Sequence, residues 1–171
     1  MDRNKRIISA AIVFAVAVAI VAVYAYYSYA VVHQDMRASG AGSLNEYFNT
    51  SAIRIVYGEN TLQGNAYIAA SPQQQYQGYM NSTSIGNCSG KGNCIGMLFV
   101  FQNQSEECFW MKNTIIPLRQ LWIDQNGIVE YAYNASPYST KTVCAQGEYV
   151  LETQLDIPIG AYVFLQANGT K

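Results

Sequence analysis

Charge is what this chain has least of. Only 12% of its 171 residues are Asp, Glu, Lys or Arg, against roughly a quarter in an ordinary soluble domain. There is a single histidine, His33, and four prolines. With so few Lys and Arg and no basic cluster beyond the first six residues, the electrostatic footprint of a nucleic-acid binder is missing. Hydrolytic machinery is equally scarce. No G-x-S-x-G, H-E-x-x-H or phosphate-cradling Gly loop occurs, and the lone histidine sits beside an apolar run rather than among carboxylates. The four cysteines, Cys88, Cys94, Cys108 and Cys144, contain no C-x-x-C pair, so a zinc site is not indicated and no metal or cofactor is expected. No internal repeat is present.

What is there begins with Arg3, Lys5 and Arg6, followed by an uncharged stretch from Ile7 to Val32. As a helix, 26 residues at about 1.5 Å each span about 39 Å, enough to cross a bilayer with tilt. Basic residues before the run predict a cytoplasmic N-terminus and an exported remainder. Tyr24, Tyr26, Tyr27 and Tyr29 gather at the outer end, where aromatic rings favour the headgroup level. Cleavage after Ser28-Tyr29-Ala30 or Val23-Tyr24-Ala25 is the competing reading, but the run exceeds the about 7–15 residues of a signal-peptide core. Both routes export the rest. The expected organisation is a cytoplasmic tip and anchor over residues 1–33, a Gly/Ser-containing stalk over 34–46, and an exported domain over 47–171.

Two features agree with export. Asn-x-Ser/Thr acceptors occur at Asn49, Asn81, Asn87, Asn103 and Asn168, with a sixth at Asn134 that Pro137 disfavours. All four cysteines follow the apolar run, and an even number outside suggests disulfides. Cys88 and Cys94 enclose a short loop, which makes them the simplest pair and leaves Cys108 with Cys144; the other two pairings stay open.

The exported part reads as short strands. Residues 52–57 and 61–70 flank Gly58-Glu59-Asn60 as a hairpin. Ser71-Pro72 opens a helix to about Tyr79, and 81–93 is a loop. Residues 97–101 form an apolar run suited to a strand buried on both faces. Further strands are expected at 109–112, 118–124, 128–133, 149–153 and 161–166, with 137–147 irregular. Without a βαβ rhythm, a mainly β sandwich or barrel with one short helix follows.

Several of these segments resemble one family. Gly78-Tyr79-Met80, Gly96-Met-Leu-Phe-Val-Phe101, Phe109-Trp-Met-Lys-Asn-Thr114, Pro117-Leu118 and Leu151-Glu152 appear in the order typical of the domain of unknown function 192 family, also called uncharacterised protein family 0127. The resemblance spans roughly residues 52–166. It implies a compact, mostly β domain, often exported or anchored, with no established activity. Ser82 stands where the family usually has Arg, and Arg119 where it usually has Asp after Pro-Leu. An ion pair of the family is therefore lost or relocated here. The turn after Leu-Glu is shortened to residues 154–160.

Within that signature, Trp110, Lys112 and Asn113 are more than strand packing demands. If 109–112 is a strand, Trp110 and Lys112 share one face and Met111 and Asn113 the other. Joined by Glu152, they would make an aromatic platform with a cation and an amide, a candidate ligand site. The plainer alternative is that Trp110 packs, Lys112 pairs with Glu152 and Asn113 bonds a turn. Two functions follow: a membrane-tethered binding or accessory module for an envelope glycan, peptide or protein, or an envelope-acting hydrolase or transferase using Lys112, Asn113 and Glu152. Binding is favoured because no general-base system is visible.

The charge cluster before the apolar run makes topology testable. Protease added to intact cells or spheroplasts is expected to remove the domain after residue 33. Complete protection would reverse the assigned orientation.

Overall fold

The computed structural model describes residues 44–88 and 93–166, together with residue 23. The apolar run over 7–32, His33, most of the 34–46 segment and Asn168 lie outside this description. Among the described residues no helix is long and apolar enough to cross a membrane.

Seven strands form one sheet: β1 (Asn49–Tyr57), β2 (Asn60–Ala69), β3 (Cys94–Phe109), β4 (Leu118–Ile123), β5 (Val129–Ala135), β6 (Val143–Thr153) and β7 (Tyr162–Leu165). Their order across the sheet is β5-β4-β6-β3-β2-β1-β7. A short helix α1 (Leu44–Tyr47) precedes β1, so the last residues of the expected stalk are folded onto the domain, and Leu44 packs against its core. Helix α2 (Pro72–Gln77) follows β2.

The expectation of a mainly β fold holds. A sandwich needs two sheets and the described residues form one, curled into a half-barrel. Its edge strands approach through an isolated bridge, Ile128 to Tyr162, reinforced where Val129 N–H donates to the Ala161 carbonyl at 2.9 Å and Val163 N–H donates to the Gly127 carbonyl at 2.8 Å. The sheet also contains one parallel pair, β2 with β3, joined through α2. A single crossover unit was not legible from the strand rhythm because α2 is only six residues long.

Curling follows from the central strands. On β3, Met97 and Phe99 join one core cluster, while Ile95 and Leu98 join another. The same alternation runs through β4, with Trp122 in the first cluster and Leu121 and Ile123 in the second, and through β6, with Val150 and Leu151. Strands apolar on both faces need cover on both. The inner face closes on itself with Ile53, Ile55 and Val163. The outer face is covered by Phe48, Tyr79 and Met111.

Helix α2 begins where sequence places it. Ser71 and Gln74 form a capping box, with Pro72 in the first turn. Its last residue is Gln77, two residues short of expectation, because Gly78 has φ of 45° and its N–H donates back to the Gln74 carbonyl at 2.9 Å.

Two segments differ from the sequence reading. Residues 102–108 fall between the strands expected at 97–101 and 109–112, yet β3 continues through them, and residues 105–109 pair with residues 143–147 of β6, within the stretch expected to be irregular. The cause is a long two-stranded arm that is exposed over 102–106 and packs only Phe109, Val143 and Ala145 partly against the outer core, too few apolar side chains to mark a strand. Cys108 and Cys144 are direct partners in that ladder and lie at disulfide distance, as do Cys88 and Cys94. In the chain-entropy picture the longer closure contributes about 3–4 kcal/mol.

Gly96 sets the spacing at the sheet centre. A Cβ there would land on the Glu152 carbonyl of the adjacent strand. Gly96→Ala is therefore expected to destabilise the domain by on the order of 3 kcal/mol or more, read as a large fall in melting temperature. An unchanged melt would show that β3 and β6 can part without loss.

Candidate functional site

Residues 110–113 leave the sheet instead of forming the expected strand. Phe109 is the last strand residue, and Lys112-Asn113 is a turn in which Asn113 has φ of 56°. Asparagine tolerates that left-handed conformation better than most residues. The turn is braced by backbone bonds from both sides. Met111 N–H donates to the Ser139 carbonyl at 2.9 Å, Tyr138 N–H to the Thr114 carbonyl at 3.0 Å, and Asn81 N–H to the Asn113 carbonyl at 2.8 Å. Those bonds replace strand pairing, and Pro117 just beyond has no N–H to extend a ladder.

Met111 points into the outer core, while Trp110, Lys112 and Asn113 are exposed. Trp110 and Lys112 do share a side, as alternation suggested, but Asn113 does not join Met111. The Lys112 ammonium lies 5.1 Å from the centroid of the Trp110 ring, a cation–π contact. Trp110 nevertheless keeps 40% of its surface exposed. On the bracing loop Tyr138 is exposed, and Lys141 lies 5.3 Å over the ring of Tyr133. Two lysine–aromatic stacks thus flank one strapped surface.

Glu152 is elsewhere. It lies on β6 between Met97 of β3 and Gln120 of β4, on the outer-core side, with 4% of its surface exposed. The expected pairing with Lys112 is corrected: the one ion pair among the described residues joins Arg119 and Asp156. The Glu152 carboxylate instead accepts from Gln120 Nε2 at 3.0 Å, and the same amide lies 3.7 Å from Met111 Sδ. Gln120 therefore links the acid to the underside of the Trp110–Asn113 turn. Burial pushes the Glu152 carboxyl up to about 7, against the lowering effect of the Gln120 bond. Burial, then the nearby Glu152 and Tyr67, push the Tyr79 phenol well above its ordinary range. Gly78 packs beside the pair; a Cβ there would lie 3.4 Å from Phe99 and 3.9 Å from Glu152 Oε2.

The sequence reading missed Gln120 and Tyr79. Gln120 carried a signal, a polar residue at an inward-facing step between Leu118 and Trp122. Tyr79 donates its hydroxyl to the nearby Ile85 carbonyl at 3.3 Å, but its approach to Glu152 joins segments far apart in sequence. The candidate acceptors Asn49, Asn81, Asn87 and Asn103 are exposed. Glu106, Cys108 and Cys144 place donor atoms within 4.8 Å of one another, but the two sulfurs are bonded to each other, leaving a single carboxylate. Arg119, at the position where the family resemblance implies Asp, turns toward Asp156, Asn134 and the Ile157 carbonyl.

The described residues form a small β domain: a half-barrel sheet with one crossover helix and a buried acid behind a strapped aromatic turn. Residues 55–158 match the domain of unknown function 192 family, described as Uncharacterized ACR, and the chain belongs to it. No protein among the curated sequences matches this chain. Among solved structures, it resembles a protein of Sinorhizobium meliloti 1021 described as a candidate transcription regulator, with a TM-score of 0.62 and 24% identity over 73% of this chain and 97% of that one. A protein of unknown function from Novosphingobium aromaticivorans DSM 12444 gives a TM-score of 0.57 and 24% identity over 66% of this chain and 83% of that one. At that identity the likeness shows the fold alone.

The buried acid makes stability depend on pH. The folded-state value of Glu152 lies above its ordinary 4.5, so the folded chain holds its proton more tightly than the unfolded chain does. Its stabilising contribution is complete below about pH 4.5 and is lost as pH rises through about 7. Glu152→Gln keeps an acceptor for Gln120 without the charge. The variant is expected to match the parent near pH 5 and to exceed it at pH 8 by on the order of 3 kcal/mol. Melts across that range check this; equal pH slopes for the two proteins would contradict it.

Proposed function

We propose that this is a membrane-tethered, extracytoplasmic binding or accessory module that recognises an envelope glycan through the strapped turn at Trp110, Lys112 and Asn113. The single observation that carries the reading is the Lys112–Trp110 stack on an exposed turn braced at Ser139, Thr114 and Asn81. A preordered aromatic ring with a cation beside it offers a face for sugar C–H groups and a charge for acidic substituents, with little ordering entropy lost on binding. Tethering through residues 7–32, with the N-terminus cytoplasmic, would hold that face within reach of envelope material.

A hydrolase or transferase built on Lys112, Asn113 and Glu152 is the weaker reading. A carboxyl poised near neutrality suits a general base. A base must also reach the proton it removes, and Glu152 is buried and already bonded to Gln120, with Lys112 and Asn113 facing solvent. The acid supports the turn from beneath instead of meeting a substrate.

Full-length protein in mild detergent, mixed with isolated envelope polysaccharide, tests the reading. Trp110→Ala is expected to weaken binding about tenfold or more, and Lys112→Ala by a smaller factor. Both side chains are exposed, so melting temperatures should hold within about 2 °C. Undiminished binding by Trp110→Ala would remove the site.

A further inference from the structure

A second surface, formed where β4, β5 and the turn after β6 meet, is built around Arg119. This open groove has a volume of about 480 Å³. Arg119 lines it with its side chain 21% exposed, and its guanidinium is held in a fixed plane. Nε donates to the Ile157 carbonyl at 3.1 Å, and Nη1 donates to Asn134 Oδ1 at 2.9 Å. The remaining contact of Nη1 is Asp156 at 3.5 Å, a long pair with a carboxylate whose side chain is 94% exposed. Nη2 has no partner among the described residues.

The other polar groups of the groove are also partly spare. Asn134 gives its carboxamide oxygen to Arg119, which leaves its NH2 group open. Gln154 donates to the Pro117 carbonyl at 3.3 Å, which leaves its side-chain oxygen as an acceptor. Ser136 also lines the groove, and Pro137 and Leu155 supply apolar walls.

We propose that this groove binds a sugar carboxylate, a uronic acid unit of an acidic glycan. An incoming carboxylate displaces the loosely held Asp156 and meets Nη1 and Nη2 as a two-pronged fork, the geometry arginine presents best. The ring hydroxyls find a donor at Asn134, an acceptor at Gln154 and a hydroxyl at Ser136, while Pro137 and Leu155 pack against ring C–H groups. The mixed donors and acceptors favour a polyhydroxylated ring over a peptide carboxylate. The volume falls within the roughly 300–1,000 Å³ of small-molecule sites. Nothing here depends on the Trp110 turn, so the two proposals stand or fall separately.

Ligand-observed NMR titrations of the full-length protein in detergent test the groove with three probes: digalacturonate, the neutral galactose disaccharide, and N-acetyl-dialanine. Digalacturonate is expected to bind about tenfold more tightly than either of the others. Arg119→Gln should weaken it by a similar factor. Asp156→Asn, on an exposed side chain that the fold does not need, should strengthen it about threefold by removing the competing carboxylate. If Arg119→Gln fails to fold, the contrast between probes and the Asp156→Asn gain decide the matter. Equal binding of the neutral disaccharide, preference for N-acetyl-dialanine, or no response to Asp156→Asn would overturn the assignment.

Discussion

The structure depends on a few strand residues that are apolar on both faces. Met97 to Phe99 on β3, Leu121 to Ile123 on β4 and Val150-Leu151 on β6 lie side by side and send alternate side chains into two separate cores. A flat sheet would leave one of those faces wet. Curling closes the inner face against β1 and β7, and the segments after α2 and after β3 close the outer one. The close approach at Gly96, where no side chain fits against the Glu152 carbonyl, lets the central strands pack at the required spacing.

Glu152 is the exception within that arrangement. A buried carboxyl near Tyr79 has one strong partner, Gln120, and burial raises it to about 7. The same glutamine touches Met111, so the polar step inside the core lies directly behind the turn that presents Trp110 and Lys112. A rigid exposed turn and a buried acid are therefore two ends of one packed unit. The turn also takes its shape from residues far along the chain, Asn81 on one side and Ser139 on the other.

Much of the fold was legible because local physics and global packing agree in those places. The helix start at Ser71-Pro72, the tight turn at Gly58 and the apolar run at 97–101 each read correctly from neighbours in sequence. The long arm of β3 and β6 did not, because residues 102–106 are exposed and few apolar side chains of the arm reach the core. The site was half legible. Trp110 and Lys112 were singled out as a pair and do meet, while the pairing of Lys112 with Glu152 was a guess about contact between segments 40 residues apart, and the chain places Gln120 there instead.

By itself, the sequence determined the elements whose causes are local: the run at 97–101 buried on both faces, where the helix after β2 starts, which cysteines are near enough to close a small loop, and which family motif the chain carries. Only the tertiary structure decided that one sheet curls into a half-barrel, that residues 110–113 form a strapped turn, that Glu152 is a buried acid, and that Arg119 lines a groove with Asn134 and Gln154. Each of these depends on contacts between residues distant along the chain. A side chain's charge state, exposure and partners are set by what packs around it, and no local pattern records that.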